Sequence, residues 1–183
     1  MIQCRRNTFE TNSSSMHSLV ITKNMSNYSC NLIDEQLKAK ATWYAEDGYM
    51  YETTSKGDVI AQPKEYGWGV DLLYCPQDKL DYITTLILLN VVDNSLFYTD
   101  INERDFNEIE KQFYNSKEYQ RLNECFNTYA DCNVVLRKVY EDVDIDHQSM
   151  KTLDSFLTDN DTTLEQYLFN RHIYLLIGND NNM

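Results

Sequence analysis

The chain has 183 residues and a formal net charge of −13, from sixteen basic and twenty-nine acidic side chains. That length supports one domain with a genuine core, and the acidic balance excludes a surface built to grip a phosphate backbone directly. Two prolines and five glycines leave little room for linkers, and the longest apolar run, 83–92, is about half of the ~20 residues a bilayer span requires.

In chain order, the first landmark is a polar stretch over 5–18 that ends in Leu19-Val20-Ile21. Asn, Thr and Ser beside a strand close turns on the backbone, and the same residues also supply hydroxyls and a titratable ring. A strand is expected over 18–22, a short helix over 34–41, and strands over 42–45 and 57–61. Residues 46–77 hold nearly all of the glycine and proline and read as the loop-rich part, decorated by Tyr49, Tyr51, Tyr66, Trp68 and Tyr74. Aromatics placed there serve either as interface anchors or as satellite core.

From Asp78 the period changes. Leu80, Ile83, Leu86, Ile87 and Val91 recur at helical spacing, so 78–92 is expected to be a buried helix. Residues 102–115 repeat the pattern, with Phe106, Ile109 and Phe113 inward and Glu103, Glu108 and Glu110 outward. A third helix over 117–129 follows, with Ser116 as its N-cap. The β-branched residues of 134–145 favour a strand. Thr162 and Glu165 have capping-box spacing ahead of a short helix, and 172–177 reads as a strand ended by Gly178. Strands, helices, strand, helix, strand argue for an α+β fold, a single compact domain over 1–183 that is helical across 78–130.

The acid is unevenly spread. Residues 1–40 carry five basic and three acidic side chains, whereas the remaining 143 carry eleven basic and twenty-six acidic. Asp100, Glu103, Asp105, Glu108, Glu110, Glu118, Glu124 and Asp131 lie on the helical segment, and carboxylates at three- and four-residue spacing line an outer face. Such a face resembles a strip of phosphates and suits a basic, nucleic-acid-binding partner protein; Arg104, Lys111, Lys117 and Arg121 interrupt it through local ion pairs. No direct nucleic-acid binding and no membrane association are expected.

Three polar segments abut expected strand ends: 11–18, 146–149 and 178–181. Brought together they would gather Ser13, Ser14, Ser15, His17, Asp146, His147, Asn179 and Asp180. That set suits nucleophilic catalysis by a Ser/His/Asp arrangement, a metal held by His17, Asp146 and His147, or simply a network of turns. No G-x-S-x-G, phosphate-binding glycine loop or H-E-x-x-H occurs, so no catalytic residue is assigned. The five cysteines (Cys4, Cys30, Cys75, Cys125, Cys132) contain no C-x-x-C. Cys125, Cys132 and His147 match no common zinc spacing, and no metal or cofactor is expected. Residues 1–6 lead into polar sequence rather than an apolar core, so no secretion signal is expected and the thiols are expected to be reduced.

The run Arg6-Asn7-Thr8-Phe9-Glu10-Thr11-Asn12-Ser13-Ser14-Ser15-Met16-His17-Ser18 resembles the R-N-x-F-E-T-N-S-S-S-x-H-S opening of small phage and prophage proteins from low-GC Gram-positive bacteria. Ile145-Asp146-His147-Gln148-Ser149 and Ile177-Gly178-Asn179-Asp180-Asn181 resemble two later blocks of the same group. Met16 departs from the pattern, which has a small polar residue there, so a hydroxyl at that position is not carried over. Some phage-encoded proteins of this size and acidity are anti-CRISPR inhibitors. The resemblance and the acidic face together lead to the expectation of an inhibitor acting in the bacterial cytoplasm, with the RNA-guided DNA nuclease of type II CRISPR systems as its specific target. The alternative is a hydrolase or metal-dependent enzyme using the Ser/His/Asp cluster.

Overall fold

In the computed structural model, the described residues are 15–21, 51–67, 70–91, 106–137, 143–145, 151–170 and 173–179. The helix α1 (Pro76–Val91) organises them. Pro76 suits a first helical turn, where its missing N–H costs nothing. Leu80, Ile83, Leu86 and Ile87 are fully buried, and each aliphatic side chain so placed stabilises the fold by about 1.5–3 kcal/mol. Burial extends unbroken from Lys79 to Leu89, so α1 is enclosed on every side rather than amphipathic.

Around it stand α2 (Phe106–Asn115), α3 (Lys117–Ala130), α4 (Leu153–Asp159) and α5 (Leu164–Phe169). The sheets are small. β1 (Ser15–Ile21), β7 (Ile173–Asn179) and β4 (Val70–Leu73) form an antiparallel sheet in the order β1-β7-β4. β2 (Val59–Ala61) pairs in parallel with β5 (Val134–Leu136), and β3 (Glu65–Tyr66) in parallel with β6 (Asp144–Ile145). One hydrophobic cluster receives side chains from all five of these helices and from strands β2 to β7. The outcome is a compact α+β fold, as its order of elements implies.

Several boundaries differ from those expected, and each difference has a cause in pairing or capping. β1 begins at Ser15, not at residue 18, because β7 continues to Asn179 and supplies partners in register: Ser15 with Asn179, Met16 with Gly178. Ser15 and His17 therefore lie in a strand, not in a turn. Gly178 does not end β7; it is paired with Met16 on one side and Val70 on the other. The strand expected over 57–61 starts at Val59, since residues 54–58 close a turn. There Gly57 adopts φ +90° and donates to the Thr54 carbonyl at 3.0 Å, a conformation glycine tolerates without steric cost. Residues 134–145 are not one strand; β5 and β6 join different sheets.

The capping box of α5 is one residue later than its spacing implies. Thr162 donates its N–H to the Leu157 carbonyl at 3.1 Å and Asp161 sits at φ +50°, which leaves Thr163 as the extended residue. Thr163 and Gln166 then cap reciprocally. Helix α4, with Thr152 as N-cap, was not expected from periodicity at all. Of the aromatics expected on loops, Tyr66 lies in β3 and is buried, as is Tyr74, so these two belong to the core. The elements expected over 34–41 and 42–45, and residues Tyr49 and Trp68, lie outside the described residues.

Candidate functional site

The acidic helical pair is built on a tight junction. Ser116 separates α2 from α3, donates its hydroxyl to the Phe113 carbonyl at 2.8 Å and accepts the Tyr119 N–H at 3.0 Å. Its inner side is aromatic: Phe113 is fully buried and packs on Tyr114 and Tyr119 with ring centroids 5.4 and 5.0 Å away. The two tyrosines bolt the pair to β5. Tyr119 donates to the Val134 carbonyl at 3.0 Å, and the Tyr114 hydroxyl accepts the Leu136 N–H at 3.0 Å. Burial, aided by Tyr114 and Asp58, pushes the Tyr119 phenol up to about 12, so this anchor stays neutral and donating at physiological pH.

The outer side carries the carboxylates. Glu108, Glu124 and Asp131 are exposed, and Glu110 and Glu118 are half-buried. Asp100, Glu103 and Asp105 lie outside the described residues. Most described cations are consumed locally: Lys111 pairs with Glu108 at 3.4 Å, Arg121 with Asp154 at 2.7 Å and Lys151 with Asp159 at 2.7 Å. Arg137 pairs with Glu52. Glu110, Glu118, Glu124 and Asp131 have no ion-pair partner among the described residues, which leaves their charge available to another molecule.

The polar cluster is only partly described. Strand pairing brings Ser15 opposite Asn179 and His17 opposite Ile177, so the N-terminal and C-terminal blocks are neighbours on β1 and β7. Ser13, Ser14, Asp146, His147 and Asp180 lie outside the described residues. The strand leading toward Asp146 is β6, which belongs with β3 in a different sheet. Among the described residues no group of ligand-type side chains could hold a metal ion. Burial pushes the Cys125 thiol up to about 12 and also raises that of Cys132, so both stay protonated at physiological pH.

A buried ionic latch escaped the reading of periodicity. Asp81 accepts the Gln62 N–H at 2.8 Å and the Gln77 amide at 2.7 Å, and pairs with Lys64 at 2.7 Å. Thr85 accepts the Lys64 N–H at 3.0 Å, so α1 holds the backbone of 62–64 by its side chains. Two residues before Asp81, the fully buried Lys79 donates to the Asn170 carbonyl at 3.0 Å and lies 5.8 Å from the centre of the Tyr167 ring. These groups serve the fold. The signal in sequence was charge at positions 79 and 81 inside an apolar helix.

No helix among the described residues is long and apolar enough to cross a membrane. Compared with protein-family models, with curated proteins and with solved structures, the chain finds no match.

Proposed function

We propose that the protein is a non-catalytic inhibitor that binds a basic, nucleic-acid-handling protein through the outer face of α2 and α3. The observation that carries this reading is that, among the described residues, Glu110, Glu118, Glu124 and Asp131 have no ion-pair partner, whereas Lys111 and Arg121 are tied up in local pairs and Lys117 is left as the free cation of the two helices. A negative face fixed to a rigid aromatic base favours encounter with a positive groove and disfavours nucleic acid itself. The resemblance to phage proteins directs the choice of partner to the RNA-guided DNA nuclease of type II CRISPR systems.

The test is target cleavage by such a nuclease with its guide, together with complex formation on a native gel. Inhibition and a complex that weakens with salt are expected. Excess DNA displaces the inhibitor if it occupies the DNA channel, whereas an inhibitor of the assembled complex leaves DNA bound but uncut. Unchanged cleavage at saturating protein, with no complex at low salt, removes the assignment. The alternative of a hydrolase or metal-dependent enzyme draws support from the register of Ser15 beside Asn179. Turnover of an acyl or phosphoryl substrate that vanishes in both Ser15→Ala and His17→Ala would reverse the ranking.

A further inference from the structure

We infer that the C-terminal end of α3 is a docking point for an arginine side chain of the basic partner, an inference that rests on the proposed acidic-face reading and specifies its chemistry. Tyr129, in the last turn of α3, is 62% exposed and stands out as the exposed large hydrophobic side chain among the described residues. It does not swing freely. Its ring leans on Phe169 at 5.4 Å with a 34° interplanar angle, Phe169 packs on Phe126 at 5.2 Å, and Phe126 packs on Tyr51 at 5.2 Å. The stack supports one face of the ring from the core and leaves much of the side chain to solvent. Preorganised aromatics of this kind are favoured anchors at interfaces.

The charges at this end of α3 favour a cation. No basic residue occupies the last turn of α3, so the negative end of the helix dipole is uncompensated. Asp131 then places a carboxylate at that same end, where the dipole opposes it, and does so at φ 51° and ψ 42°, a left-handed conformation better suited to glycine. The carboxylate thus adds negative charge at the negative end of the dipole. The end is also held in place. Asp131 donates its N–H to the Asn127 carbonyl at 3.3 Å, Asn123 and Asn127 both donate to the Asn133 side chain at 3.3 Å, and Asn133 donates to Asp58 at 3.0 Å.

Arginine fits this end better than lysine. Its planar guanidinium stacks on an aromatic face, whereas an ammonium is a compact, strongly hydrated point charge. A second copy of the chain is a poor occupant, because the net charge of −13 is self-repelling.

The experiment titrates the purified protein with nona-arginine, nona-lysine and a neutral Gly-Ser peptide at low salt. Tyr ring resonances are followed by NMR, with Tyr129 assigned by its disappearance in Tyr129→Phe. Nona-arginine is expected to shift the Tyr129 ring signals. Tyr129→Ala should weaken nona-arginine by about three- to tenfold while changing nona-lysine by less than about twofold. Tyr129→Phe should retain affinity, and Asp131→Asn should weaken both cationic peptides. Thermal melting of each variant establishes that it is folded. Equal nona-arginine affinity in Tyr129→Ala and the parent overturns this inference and leaves the acidic-face reading standing. No binding of either cationic peptide, or equal binding of the neutral one, overturns both.

Discussion

Among the described residues, Lys79 sits in an environment far from what its type prefers. Burial lowers its ammonium from 10.5 to about 7, opposed only weakly by Cys75. In the unfolded chain the amine returns to its ordinary value, so between pH ~7 and ~10 the unfolded state holds a proton that the folded state has released. Stability therefore rises with pH across that window, by on the order of 3 kcal/mol from this group, and the penalty is fully present below it. Lys79→Met should remove that slope, raising the melting temperature more at pH 6 than at pH 9.5. Parallel melting profiles for the two proteins would contradict the account. Such residues are hard to read in sequence, because periodicity records apolar positions and is silent about a charge that a helix encloses. Asp81 shows the same limit: its partners at Gln62 and Lys64 are far along the chain, and only the fold brings them near.

At the scale of elements, legibility followed the range of the interactions involved. Helices α1, α2 and α3 were readable because ten or more residues repeat one period and Ser116 caps locally. Helix α4 was missed because its seven residues, with three buried, give too short a run. The start of β1 depends on a partner more than 150 positions away, so no local signal could fix it. The cap of α5 supplies a sharp test. Thr163→Ala should cost about 1 kcal/mol, whereas Thr162→Ala, one residue earlier, should cost markedly less. The reverse order in urea unfolding would restore the earlier register. The Glu165 carboxyl, held below the usual carboxylate range first by the Thr163 side chain and then by its own backbone, strengthens the same helix start. Asp131 tests whether stability and binding separate at the end of α3. Asp131→Gly relieves a left-handed conformation and a charge opposed by the dipole, so stability should rise by about 1 kcal/mol while binding to the basic partner weakens. A variant that binds undiminished would show that the carboxylate has no role in recognition.

For the molecule as a whole, the α+β class was legible from the order of elements, and the acidic balance from composition alone. What composition could not show is which carboxylates remain unpaired. Glu108 is met by Lys111 and Asp154 by Arg121, whereas the half-buried Glu110 and the exposed Glu124 and Asp131 have no ion-pair partner among the described residues. The polar cluster was legible only as separate blocks; the pairing of β1 with β7 joins two of them. The central claim is that the outer face of α2 and α3 binds a basic groove through exposed charge. Its most direct test is the dissociation constant for the guide-loaded type II nuclease across a salt series, measured for the parent and for Glu110→Lys, Glu124→Lys and Glu65→Lys. Each reversal changes the net charge equally, but Glu65 lies on β3, outside the helical pair. The account predicts that affinity falls as salt rises, since screening shortens the reach of exposed charges. It also predicts that Glu110→Lys and Glu124→Lys weaken binding by about tenfold or more, while Glu65→Lys stays within about threefold of the parent. Equal losses for all three variants, or an affinity indifferent to salt, would contradict it.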